Sequence, residues 1–145
     1  MSDAYGMQSI FWADAMVLIE YPEPFAVLRF PPASKIPAWA EQGPFTSITR
    51  TPQELAVICQ ESQIPPEQAA ERGWYLMGCQ GPLDFSAVGI MAELAGTLAD
   101  ADLSILTIAT YDTDYFLIRD LNRARTALRE AGHEVIRASS SETSI

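Results

Sequence analysis

The sequence predicts an α+β fold, an antiparallel sheet with helices packed on one face, and three observations carry that prediction. Short apolar runs of strand length, bounded by Pro, Gly or Asp, recur along the whole chain. Two segments of the second half, opening at Ser86 and at Asp120, instead carry their apolar residues at helical spacing. With 145 residues and 48% of them hydrophobic, there is enough interior for one compact domain or two very small ones sharing a core.

The elements follow in order. Ala15 to Ile19 and Phe25 to Phe30 read as two strands, with Tyr21-Pro22-Glu23-Pro24 as a stiff turn between them. Ile36 to Ala40 reads as one helical turn with Pro37 near its start, and Phe45 to Arg50 and Leu55 to Cys59 resume the extended pattern around Thr51-Pro52-Gln53-Glu54. A proline-rich seam, Ile64-Pro65-Pro66-Glu67, separates this mostly sheet half from the next. Trp74 to Gln80 is then a strand, and Ser86 to Ala99 an amphipathic helix with Val88, Met91, Leu94, Ala95 and Leu98 on one face. Leu103 to Ala109 and Tyr115 to Arg119 are strands flanking Asp112-Thr113-Asp114. Asp120 caps a second helix whose buried stripe is Leu121, Ala124 and Leu128; Gly132 ends it, and His133 to Arg137 form a last strand. The second half therefore runs β-α-β-β-α-β, the order of a ferredoxin-like fold. Ser139 to Ser144 is too polar to bury.

Charge and composition exclude whole classes of function. A net charge of −10, a pI near 4.3 and Lys35 as the only lysine argue against nucleic acid, because neutralising phosphates requires clustered Lys and Arg. No apolar run reaches membrane-spanning length, and Met1 to Trp12 has neither a basic start nor a long apolar core, so no membrane association and a cytoplasmic location are expected. Cys59 and Cys79 lie in apolar runs with no second Cys or His at ligand spacing and read as buried reduced thiols. There is no Gly-rich phosphate loop, no metal-ligand cluster and no nucleophile with a paired base, so neither a cofactor nor catalysis is expected.

Two segments carry the chemistry. Gly81-Pro82-Leu83-Asp84-Phe85-Ser86 with Gly89-Ile90 ends a strand and opens a helix; Ser86 is a good N-cap, Gly89 admits a close approach, and free N–H groups at a helix start attract an anion. Thr110-Tyr111-Asp112-Thr113-Asp114-Tyr115 leaves an apolar strand and sets two carboxylates in a polar turn, where they could accept a cation. Opposite charges of this kind suit a zwitterion. Asp84 also serves as a carboxylate complementing the helix dipole, and Asp112 is better explained by turn chemistry than by ligation. Trp39 and Trp74 read as core or interface anchors, His133 as a solvated loop residue, and Arg123, Arg125 and Arg129 as an exposed helix side pairing with Glu130 or a partner chain.

On Glu71-Arg72-Gly73-Trp74 and these two segments, in this order and spacing, the chain resembles the ACT-domain proteins, in particular the ACT modules of the cytosolic arginine sensor CASTOR and of aspartate kinase. The resemblance implies tandem ACT-like modules: residues 13–70 as an N-terminal degenerate copy, 71–138 as a C-terminal ACT domain, and 139–145 as a flexible tail. It implies amino-acid-responsive regulation without catalysis. It also implies an effector site of Leu83, Asp84, Phe85, Ser86, Gly89 and Ile90 facing Thr110, Thr113 and Asp114. The sensor holds four modules where this chain holds two, so a homodimer is implied, with a regulated enzyme as a further partner. On charge grounds a basic or neutral amino acid is the preferred ligand. The alternative is a module that binds no ligand and serves only to dimerise or dock.

Overall fold

The computed structural model describes residues 16–80 and 89–139. They pack as two compact units, one of residues 21–76 with 138–139, the other of residues 16–20, 77–80 and 89–137. Strand β1 (Val17–Phe30) starts in the second and ends in the first, and β4 (Glu71–Cys79) runs the opposite way, so neither unit is a continuous stretch divided at 70/71.

In the unit of residues 21–76, β2 (Ser47–Arg50) and β3 (Leu55–Gln60) form an antiparallel hairpin with Ser47 opposite Ile58 and Arg50 opposite Leu55. The Thr51 hydroxyl closes it, accepting the N–H groups of Gln53 and Glu54 at 3.1 Å. Leu55, Val57 and Cys59 alternate inward along β3, as the pleat requires, and join Ala26, Leu28, Ala40 and Ile64 in an apolar core. Residues 25–30 of β1 pair antiparallel with β3. Trp39, next to the 3₁₀ turn's Ala40, packs on this core and tilts against Phe30 with ring centroids 6.4 Å apart, and Trp74 is buried too, so both tryptophans are anchors. Pro37 caps that 3₁₀ turn, Ala38–Glu41.

One expected turn is absent. Tyr21-Pro22-Glu23-Pro24 continues β1 as a single 14-residue strand. The registers explain why two prolines are tolerated there: β1 pairs with β7 (Glu134–Arg137) over Val17 to Glu20 and with β3 over Phe25 to Phe30, leaving 21–24 outside both ladders. A missing N–H costs no bond on that side.

The other unit contains the β-α-β-β-α-β run from the end of β4 onward: residues 77–79 of β4, α1 (Ile90–Asp100), β5 (Leu106–Ala109), β6 (Asp114–Ile118), α2 (Leu121–Glu130) and β7. The helices pack together through Leu94, Leu98, Ala124 and Leu128, all fully buried, in the ferredoxin-like α+β arrangement that the sequence predicts. Its sheet order is β7-β1-β4-β6-β5. The start of β1 thus lies between β4 and β7, and β1 pairs with β7 in parallel, whereas β5 and β6 pair antiparallel.

Helix ends depart from expectation in two places. Gly89 is the N-cap of α1 at φ 85°, a left-handed conformation no helix interior adopts, so the helix starts at Ile90 and does not run unbroken from Ser86. At its other end Leu103 N–H returns to Leu98 and Asp102 N–H to Ala99, with Asp102 at φ 64°; these bonds consume Leu103, and β5 begins only at Leu106. Helix α2 behaves as read: Asp120 Oδ1 accepts Arg123 N–H at 3.1 Å, and Gly132 closes the same C-terminal motif.

Two polar readings are overturned. His133 is buried, because the chain reversal after Gly132 turns its ring inward, where Nδ1 accepts the Met16 N–H at 3.1 Å and Nε2 lies 3.2 Å from Glu93 Oε2. Arg125 is no free surface charge either. It grips buried Glu20 with two nitrogens of one guanidinium edge, Nε to Oε1 at 2.7 Å and Nη2 to Oε2 at 2.9 Å, while Arg137 pairs with the same carboxylate at 3.1 Å. Arg123 and Arg129 likewise bond the carbonyls of Ala101 and Val135.

Candidate functional site

The turn between β5 and β6 is built by its threonines. Thr110 donates to the Thr113 carbonyl through both N–H and hydroxyl, each at 2.9 Å, and its hydroxyl oxygen accepts the Thr113 N–H at 3.3 Å. This leaves the Thr113 hydroxyl free to reach out of the turn and donate to the Cys79 carbonyl at 2.8 Å. The last residue of β4 is thereby fastened to the turn just before the chain leaves toward the strand-to-helix segment.

Asp114 follows as the first residue of β6, half-buried, opposite Ala109. Its negative charge reaches the Cys79 thiol, whose pKa is pushed up to about 12, first by burial and then by Asp114. Cys59, raised to about 11 by burial alone, is equally inert; both cysteines are free thiols. One residue before Cys79, Gly78 lies flat against the Tyr115 ring: a Cβ there would sit 2.8 Å from Cε1. That contact went unread in the sequence, although a glycine inside a strand pattern is its signal.

Gly89 and Ile90 stand at the opening of α1. Among the described residues no atom beyond its neighbours in the chain lies within 4 Å of where a Gly89 Cβ would be, and Gly89 supplies no side-chain acceptor to the helix start. The first-turn N–H groups are therefore left for another acceptor. Of the predicted site, Thr110, Thr113 and Asp114 come together at the end of β4, while Gly89 and Ile90 form the helix start. Leu83, Asp84, Phe85 and Ser86 lie outside the described residues. Among the described residues, no group of three or more His, Cys, Asp or Glu side chains could hold a metal ion.

Comparison with known proteins fits this geometry. The ACT domain model matches residues 69–130, and a model described as an N-terminal domain matches residues 23–67. The Bos taurus cytosolic arginine sensor for mTORC1 subunit 1 is 30% identical over 87 residues, 52% of this chain and 26% of that one. The chain thus spans about a quarter of that curated relative's length. Clostridium acetobutylicum aspartate kinase shares the fold, with a TM-score of 0.59 at 11% identity over 75% of this chain and 32% of that one. These matches put an ACT domain at residues 69–130. The similarity extends over nearly the whole chain to a crystal structure from Agrobacterium tumefaciens: 31% identity, TM-score 0.80, covering 86% of this chain and 95% of that one.

Proposed function

We propose that the protein is a non-catalytic regulatory module that binds a free amino acid between the start of α1 and the turn carrying Asp114. The observation that carries the reading is the Thr113–Cys79 bond: it fixes an acidic turn beside the point where the chain departs from β4 for the helix start. The ligand's carboxylate accepts N–H groups at the opening of α1, and its ammonium or side-chain cation faces Asp114. The site includes Leu83, Asp84, Phe85, Ser86, Gly89, Ile90, Thr110, Thr113 and Asp114. The similarity to an arginine sensor makes arginine the first candidate, and the acidic turn favours basic or neutral ligands over acidic ones.

Each end of the ligand alone contributes little, about 0.3–1 kcal/mol for a carboxylate at an exposed helix start and about 0–1 kcal/mol for a solvated ion pair. Useful affinity therefore depends on excluding water, and a homodimer that covers the site supplies that. β5 ends the sheet order, its strand Leu106-Thr107-Ile108-Ala109 carries no charge, and Leu106 and Tyr111 beside it are exposed. The same edge supports the second reading, a ligand-free module that only dimerises or docks on an enzyme. The similarity to a cytosolic sensor supports a cytoplasmic location for the module.

A thermal-melting screen against the standard amino acids tests both readings. A ligand at a hundredfold excess over its Kd stabilises the native state by about 2.7 kcal/mol, so a selective rise in Tm is expected. Asp114→Ala should remove the shift without lowering the Tm of the unliganded protein. A flat screen together with a concentration-dependent Tm favours the docking module.

A further inference from the structure

The geometry points to a second device, independent of any ligand: His133 is a proton-operated latch that holds the start of β1 while its ring is neutral and lets it go once the ring is protonated. His133 Nδ1 accepts the Met16 N–H at 3.1 Å, so this nitrogen carries a lone pair. Nε2 lies 3.2 Å from a carboxylate oxygen of Glu93 and so carries the hydrogen. Only the neutral Nε2–H tautomer satisfies both contacts, and the ring has no solvent exposure.

A second proton can enter only at Nδ1. There it converts the acceptor into a donor facing another donor, and the Met16 bond is lost. Glu93, one-third exposed, favours the charged ring as an ion-pair partner. Two neighbours thus pull in opposite directions: Met16 selects the neutral imidazole and Glu93 the imidazolium, which makes a two-state element of a single side chain.

What Met16 loses, the sheet loses. Met16 is held at its N–H by the His133 ring and at its carbonyl by Glu134 N–H, which donates at 2.9 Å and begins the parallel β1–β7 ladder. Among the described residues, the charged groups on the elements next to the ring are Glu93 on α1, which contacts it, Glu134 on β7, Arg129 on α2, which bonds the Val135 carbonyl, and Glu20 on β1 with its partners Arg125 and Arg137. Those arginines are already engaged, which leaves Glu93 as the carboxylate in contact with the ring.

His133 is the only histidine in the chain, so a ring ¹⁵N spectrum reads it without ambiguity. The Nε2–H tautomer is expected for the neutral ring. At the pH where the ring ¹⁵N signals report the imidazolium, the amide-exchange protection of Met16 and Glu134, corrected for intrinsic rates, should fall about tenfold relative to Ile19 and Ile136; a ring that stays neutral down to acid unfolding would also overturn the latch. His133→Asn, whose amide oxygen can accept from Met16 without titrating, should make that protection independent of pH. Glu93→Gln should move the loss to lower pH, since it removes the charge that favours the imidazolium. An Nδ1–H tautomer at neutral pH, protection retained beside a charged ring, or the same acid loss in His133→Asn would each overturn the latch. Should His133→Asn not fold, the direction of the Glu93→Gln shift still decides.

Discussion

In residues 21–76 the core is Ala26, Leu28, Ala40, Leu55, Val57, Cys59 and Ile64, and the ion pair between Arg29 and Glu54 sits outside it at 3.6 Å with both side chains well exposed. In the other unit Leu94, Leu98, Phe116 and Leu128 are just as buried, yet Glu20 and His133 are buried among them. The first arrangement needs apolar volume in the right places and tolerates exchange of one hydrophobe for another. The second also needs particular donors: a guanidinium fork on Glu20, and one imidazole tautomer between Met16 and Glu93. Apolar packing stabilises both units. The polar contacts add a geometric requirement, because a buried carboxylate out of register with its arginine costs more than a displaced methyl.

The contrast can be broken most forcefully at Arg125. Arg125→Met leaves buried Glu20 with Arg137 alone and should destabilise by about 3–5 kcal/mol, read as a fall in the urea midpoint; a loss under about 1 kcal/mol would mean the fork is dispensable. Next comes Gly78→Ala, which forces a Cβ into the Tyr115 ring and should cost about 1–3 kcal/mol by the same measurement. Within the apolar core, Leu55→Met keeps the volume and should cost less than about 1.5 kcal/mol, whereas Arg125→Lys, formally as conservative, should cost more because an ammonium lacks the planar fork. The smallest effect belongs to Arg29→Ala, about 0–1 kcal/mol for an exposed pair. The thiols sharpen the picture without mutation. With Cys59 raised to about 11 and Cys79 to about 12, neither should react with a thiol reagent at pH 8 in the folded protein, and both should react once it is denatured.

Much of the fold was legible because it is local. The inward alternation of Leu55, Val57 and Cys59, the stripe of Ala124 and Leu128, the Asp120 cap and the Gly132 stop each depend on residues within a few positions of one another. The ACT resemblance was legible for the same reason, since its segments keep a fixed order and spacing along the chain. Of the site, the threonine-and-aspartate turn could be read as a turn, but the bond from Thr113 to Cys79 spans 34 residues and has no sequence signature. Gly89 was read as a point of close approach inside a helix; its left-handed φ instead makes it the helix's boundary.

By itself the sequence determined most element types, the α+β class, the Asp120 cap and Gly132 stop of α2 and which side chains are too apolar to leave in water, because propensity, periodicity and turn chemistry act over one or two turns of chain. Only the tertiary structure decided that Pro22 and Pro24 lie within a strand, that the start of β1 lies between β4 and β7, and that His133 and Arg125 turn inward. Those outcomes depend on which partner stands opposite, Glu20 being 105 residues from Arg125 and Met16 being 117 from His133. Burial of a polar group is favourable only when its partner arrives, and no local pattern announces a partner that far away.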